Sequence, residues 1–149
     1  MSEYKTILIA TDLSDPSLSA VEQGMALAEQ LGSRVILTYV MEDRLPPMIL
    51  AHSALPTDEL LEQHRQHAEK ALDEFVERHL GGREVESIVR QGTPHQEVVQ
   101  LAKEMRADLI VIGMHGHGFL AHALAGSTAE RVLHQATCPV LVVSHPKHS

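Results

Sequence analysis

The sequence predicts an α/β protein in which one parallel sheet is wound on both faces by helices. Two patterns and a composition carry that prediction. Five short apolar runs rich in β-branched residues recur along the 149 residues, and continuous runs of this kind belong to strands covered on both sides. Between successive runs the chain has helical periodicity. The order is therefore β-α-β-α-β-α-β-α-β, and parallel strands joined by right-handed crossovers make a doubly wound sheet. The chain is 44% hydrophobic but only 3% aromatic and has no Trp, so its core is aliphatic. Its length supplies one domain with a real core.

The elements follow in order. Ile7-Leu8-Ile9-Ala10 is the first strand. Asp15-Pro16 places an N-cap before a proline at the first helical position, and Leu18, Val21, Met25 and Ala28 then share a face until Leu31-Gly32 ends the helix. Residues 35–40 are the second strand. Residues 41–56, with Pro46-Pro47, read as the one long irregular piece. Thr57 opens a longer helix with Leu61, Ala68, Leu72, Phe75 and Val76 inward and Gly81-Gly82 at its end. Residues 85–89 form a third, more polar strand. Thr93-Pro94-His95-Gln96 reads as a capping box ahead of Val98, Leu101, Ala102 and Met105. Residues 109–113 are the fourth strand. Ser127-Thr128-Ala129-Glu130 is a second capping box, followed by Val132, Leu133 and Ala136. Val140–Val143 is the fifth strand. The first and fourth runs are the most apolar and belong at the centre of the sheet, in a flavodoxin-like or related nucleotide-binding order.

Charge and cysteine content narrow the function. A net charge of −8 repels nucleic-acid backbones and anionic membrane surfaces alike. Any phosphate site must be local, made by backbone N–H groups and helix ends. The single cysteine, Cys138, forms no internal disulfide and reads as a buried, inert thiol. No apolar stretch approaches the ~20 residues of a membrane span, and no signal peptide is recognised, so a cytoplasmic location is expected. Eleven histidines include the pairs His64/His67 and His115/His117, but neither pair has a third ligand at a metal-site spacing.

Open α/β sheets bind ligands beyond the carboxyl ends of their strands, where the winding reverses. Two segments leave central strands there with suggestive residues. One is Thr11-Asp12. The other is the loop of residues 113–127, which reads Gly113-x2-Gly116-x9-Gly126-Ser127. Gly113 and Gly116 let backbone N–H groups approach an anion. Gly126-Ser127 presents the free N–H groups and positive end of a helix, and the Ser127 hydroxyl can donate to a phosphate oxygen. Two anion-binding elements in one loop suit a polyphosphate. The same glycines also serve as ordinary turn chemistry, and Ser127 with Glu130 suffices as a cap. No P-loop pattern is present. Residues 116–121 match the dinucleotide fingerprint only in letters, since no acidic residue ends a following strand.

Three stretches together resemble the universal stress protein family: Lys5-Thr6-Ile7-Leu8-Ile9-Ala10-Thr11-Asp12, Gly92-Thr93-Pro94-His95-Gln96-Glu97, and the complete glycine signature followed by Pro139-Val140-Leu141-Val142-Val143. The resemblance spans essentially the whole chain in one register. It implies a doubly wound five-stranded parallel sheet of order 3-2-1-4-5 with helices on both faces, a dimer, and membership of the branch that binds ATP. By the same resemblance Asp12 contacts the adenine, with Ala10 and Thr11 beside it, and Val40 packs on the base. Gly113, His115, Gly116 and His117 wrap the ribose and phosphates, Gly126, Ser127 and Thr128 hold the outer phosphates, and Gly92 lies near the same rim. Mg2+ or Mn2+ accompanies the triphosphate. The family often carries Arg or Lys where His117 stands, so phosphate affinity here is expected to be weaker and more dependent on pH.

The resulting expectation is an ATP-binding regulatory or stress-response protein with little or no turnover, because no general base stands beside the phosphate loop. ADP and AMP remain open as the bound species. A slow ATPase or nucleotidyl-transferring enzyme of related fold is the alternative, and a dimeric interaction module with an empty loop is the third reading. The apolar Val140–Val143 strand at the sheet edge invites antiparallel pairing into a homodimer. A regulatory protein partner is expected but not identified, and neither nucleic acid nor membrane is expected as a partner.

Overall fold

The computed structural model describes residues 4–42, 47–52, 56–114 and 127–144. Its elements are β1 (Thr6–Thr11), a 3-10 turn (Asp15–Ser17), α1 (Leu18–Leu31), β2 (Arg34–Met41), α2 (Pro47–His52), α3 (Thr57–Leu80), β3 (Glu86–Gln91), α4 (Pro94–Glu104), β4 (Leu109–Gly113), α5 (Thr128–Gln135) and β5 (Val140–Val143). The sheet has five parallel strands in the order β3-β2-β1-β4-β5.

Alternation along the strands divides the aliphatic core between the two faces. On one face Ile7 and Ile9 of β1, Val35 and Leu37 of β2 and Val111 of β4 pack under α1 and α3, through Val21 and Met25 and through Leu72 and Phe75. On the other, Leu8 and Ala10 of β1, Ile36 of β2 and Ile110 and Ile112 of β4 pack under α4 and α5, through Val98, Leu101 and Val132. Winding reverses at β1, because β2 and β3 extend to one side of it and β4 and β5 to the other.

The start of β1 is stitched to the turn before β4. Asp108 accepts hydrogen bonds from the backbone amides of Lys5 and Thr6 at 2.8 and 2.9 Å, and its own amide donates to Thr6 O at 2.8 Å. α1 ends where expected, at Gly32, whose φ of 70° is the left-handed cap that glycine adopts without steric cost.

Several local expectations are corrected. The N-cap at the first helical segment is Ser14, not Asp15: its side chain accepts from Ser17 N, and Pro16 lies within the 3-10 turn that precedes α1. Residues 41–56 are not wholly irregular, since Pro47–His52 is helical. At α4 the capping box does not form. Thr93 makes no side-chain cap, and its carbonyl alone accepts from Glu97 N at 2.9 Å. Leu133 is 52% exposed rather than packed behind α5. Cys138 is half-buried, and burial, then the nearby Asp108, pushes its thiol up, away from reactivity.

Candidate functional site

Parallel topology gathers the ends of β1 to β4 on a single edge. Ala10 and Thr11 end β1, and Asp12 follows them. Val40 lies near the end of β2, Gly92 just past β3, and Gly113 closes β4. Ala10 and Val40 both belong to the face covered by α4 and α5. Because α5 runs back from β4 to the start of β5, Ser127 and Thr128 at its N-terminus face the same edge. His115, Gly116, His117 and Gly126 lie outside the described residues.

The turn after β1 is held by short polar side chains. Thr11 Oγ1 accepts from Leu13 N at 2.9 Å and lies 2.7 Å from Ser17 Oγ, which donates to Ser14 O at 2.8 Å. Asp12 Oδ1 accepts from Ser14 N at 3.0 Å and also from Ser14 Oγ. These bonds hold Leu13 at a φ of 67°, a left-handed conformation that costs a branched residue about 1–2 kcal/mol. One oxygen of the Asp12 carboxylate is committed to this turn. Among the described residues the other accepts no hydrogen bond, so an acceptor is held at the strand edge by a rigid turn. Tyr39, beside it on β2, has its phenol pushed up by burial and then by the charges of Asp12 and Glu42.

At α5 the serine half of the second capping box forms, with Ser127 Oγ accepting from Glu130 N at 3.1 Å. The Ser127 hydroxyl proton is left for another acceptor, and the free N–H groups and dipole of the helix favour an anion there.

At β3 the amide of Gly92 donates to Met41 O at 2.9 Å, tying the end of β3 to that of β2. Arg90 reaches along α4 to Glu97 and Glu104. Hydrogen bonding to Arg90 holds the Glu104 carboxyl below the usual range, and the same contacts hold the guanidinium firmly charged. Sequence reading passed over Arg90, although Glu97 and Glu104 are seven apart and share a helical face.

The burial of His95, read in the sequence as part of a cap and of the Gly92–Glu97 stretch, was also missed. The residue is 7% exposed in the first turn of α4, and burial, then the charge of Arg131 on α5, pushes its imidazole down. The sign is definite. Above about pH 6.5 His95 is neutral in both folded and unfolded chains; below it the unfolded chain takes the proton first, so stability falls with pH until the lowered folded value is passed. A His95→Gln variant is therefore expected to lose less stability between pH 7 and 5 than the parent, as read from urea midpoints. Parallel curves would show that His95 carries no linkage.

Among the described residues no three His, Cys, Asp or Glu side chains converge as a metal set, and no described helix is long and apolar enough to cross a membrane. The model of the universal stress protein family matches residues 3–144.

The chain belongs to the universal stress protein family.

It is 36% identical over 151 residues to Universal stress protein MJ0531 of Methanocaldococcus jannaschii, covering 97% of this chain and 84% of that one. The solved structure of protein MJ0577 from the same organism, a universal stress protein, is 30% identical with a TM-score of 0.79, covering 99% of this chain and 100% of that one. A universal stress protein solved in complex with cAMP is 26% identical with a TM-score of 0.69, covering 97% of this chain and all of that one. The strand order is that of the family's doubly wound fold, and adenine-nucleotide binding occurs among its structural neighbours.

Proposed function

We propose that this universal stress protein holds ATP as a cytoplasmic regulatory or stress-response protein with little or no turnover. The observation that carries the reading is the common placement of two unlike elements at the winding reversal. The Asp12–Val40 edge offers a polar acceptor and an apolar platform for a purine base. Gly113 and the Ser127–Thr128 helix start offer backbone N–H groups and a hydroxyl for phosphates. Ala10, Thr11 and Gly92 line the base end, and His115, Gly116, His117 and Gly126 complete the phosphate loop. The relative in complex with cAMP supports the adenine. Mg2+ or Mn2+ would travel with the triphosphate, which supplies most of its oxygen ligands, with the hydroxyls of Ser127 and Thr128 as candidate protein donors. Bound there, the cation would supply charge neutralisation.

Assembly follows from β5. It is the terminal strand of the sheet, and its Leu141 is 36% exposed. Antiparallel pairing of β5 about a two-fold axis would cover both the strand edge and this apolar side chain.

The purified protein, denatured and analysed by mass spectrometry, is expected to release an adenine nucleotide, and added ATP with Mg2+ is expected to raise its melting temperature. No nucleotide and an unmoved melting temperature would sink the reading and leave an interaction module. Timed phosphate release at ~1 s⁻¹ or more, abolished in Gly113→Val/Gly116→Val, would favour the enzyme instead.

A further inference from the structure

The start of α4 is fixed by an unusual device. Thr93, at the N-cap, contributes no side-chain hydrogen bond. In its place Glu97, in the first turn, is gripped from the sheet: Arg90 Nε donates to Glu97 Oε1 at 3.0 Å. The terminal nitrogens of Arg90 donate to the two oxygens of Glu104 at 2.9 and 3.0 Å, so one guanidinium spans two turns of α4.

The Glu97 side chain also lies across Gly92. A Cβ on Gly92 would come within 2.9 Å of Glu97 Oε2 and 3.1 Å of its Cγ, and Gly92 has a φ of +146° that side-chain-bearing residues rarely adopt. The peptide that leaves β3 is thus held from two sides, by its hydrogen bond to Met41 O and by the carboxylate above it. Arg90 itself stands opposite Val40 in the β2–β3 register. The clamp and the apolar platform are neighbours on adjacent strands.

We infer that Arg90 and Glu97 are positioning residues for the base end of the nucleotide site, holding the Gly92–Thr93 turn against the end of β2 so that the floor at Val40 is set before a ligand arrives. The inference rests on the adenine-nucleotide reading and names the residues that preorganise one end of that site. Loss of preorganisation raises the ordering cost of binding. Because the base end is common to ATP, ADP and AMP, the cost falls on all three equally.

The test is calorimetric titration of ATP, ADP and AMP into the parent, Glu97→Ala and Glu97→Gln proteins, with urea midpoints measured in parallel. Glu97→Ala is expected to weaken all three nucleotides by a common factor of about tenfold, the order of one lost preorganised contact. Its midpoint should move little, as befits a partly exposed ion pair. Glu97→Gln keeps an oxygen for Arg90 Nε and the volume over Gly92, so it is expected to restore affinity to within about twofold. Unchanged affinity in Glu97→Ala would overturn the inference while leaving the nucleotide reading intact. So would a loss that grows with phosphate number, or one that glutamine fails to restore. A parent protein that binds none of the three would overturn both.

Discussion

Replacing Gly24 by valine is expected to lower the stability of the folded chain by about 3 kcal/mol, at the upper end of the range for overpacking a core. Gly24 lies on the buried face of α1, directly over the centre of the sheet. An added Cβ would stand 2.5 Å from Ile9 Cδ1, 2.8 Å from Ile9 Cγ1 and 3.5 Å from Val111 Cγ1. Ile9 and Val111 are fully buried on adjacent strands, so neither has room to retreat without displacing its own neighbours. Alanine at this position regains up to about 1 kcal/mol of helix propensity, which offsets part of its smaller clash. Valine adds two more methyl groups to the same gap. Denaturant midpoints of the parent, Gly24→Ala and Gly24→Val proteins check the order. A partner substitution sharpens it. Ile9→Val removes the atom nearest the added Cβ and costs about 0.5–1.5 kcal/mol alone, but should cost less, or nothing, beside Gly24→Ala. Strict additivity, or a Gly24→Val protein as stable as the parent, would show that α1 is not seated this closely.

Ser127→Ala is expected to act twice. The hydroxyl caps α5 by accepting from Glu130 N, and losing a serine cap costs about 0.5–2 kcal/mol of stability. On the proposed reading the same hydroxyl donates its proton to a phosphate, and losing a hydrogen bond to a charged group costs roughly 1–2 kcal/mol more in ATP affinity. Glycine separates the two effects, because it caps nearly as well as serine yet offers no donor. Ser127→Gly is therefore expected to keep the parent's denaturation midpoint within a few tenths of a kcal/mol and still bind ATP more weakly. If Ser127→Gly binds ATP as the parent does, the serine is a cap and the phosphates are held by backbone alone.

The sheet was legible because its determinants are local and redundant. Ile7 to Ala10 and Leu109 to Gly113 are apolar on both faces, and such runs have few stable places outside the centre of a parallel sheet. Gly32 and the Ser127 cap were legible for the same reason, each being a single residue with one strong conformational preference. What escaped depends on contacts between distant residues. Nothing in Asp15-Pro16 reveals that Ser14 will cap the turn, because the choice follows from how Thr11, Asp12 and Ser17 share their hydrogen bonds. Thr93 looks like a cap, yet Glu97 reached from Arg90 does the fixing, and that pairing exists only once β3 lies beside α4. His95 looks like a polar residue of a first turn, yet it is buried and feels the charge of Arg131 on α5, an element more than thirty residues further along the chain. The edge carrying Asp12, Val40, Gly92 and Gly113 was located by topology. The role of each residue in it came from the family resemblance.

The clasp between Asp108 and the amides of Lys5 and Thr6 has a consequence for how the chain is made. The central strand, β1, emerges from the ribosome before the other four, and one of its two neighbours lies 102 residues downstream. At about 5–20 residues per second, its open flank waits several seconds for β4. Until then an entirely buried, aliphatic strand has one unpaired edge, the kind of surface that holdase chaperones protect and that promotes misassembly. The crevice between β1 and β4 does not exist during that interval. On the proposed reading, nucleotide would therefore stabilise only the finished molecule.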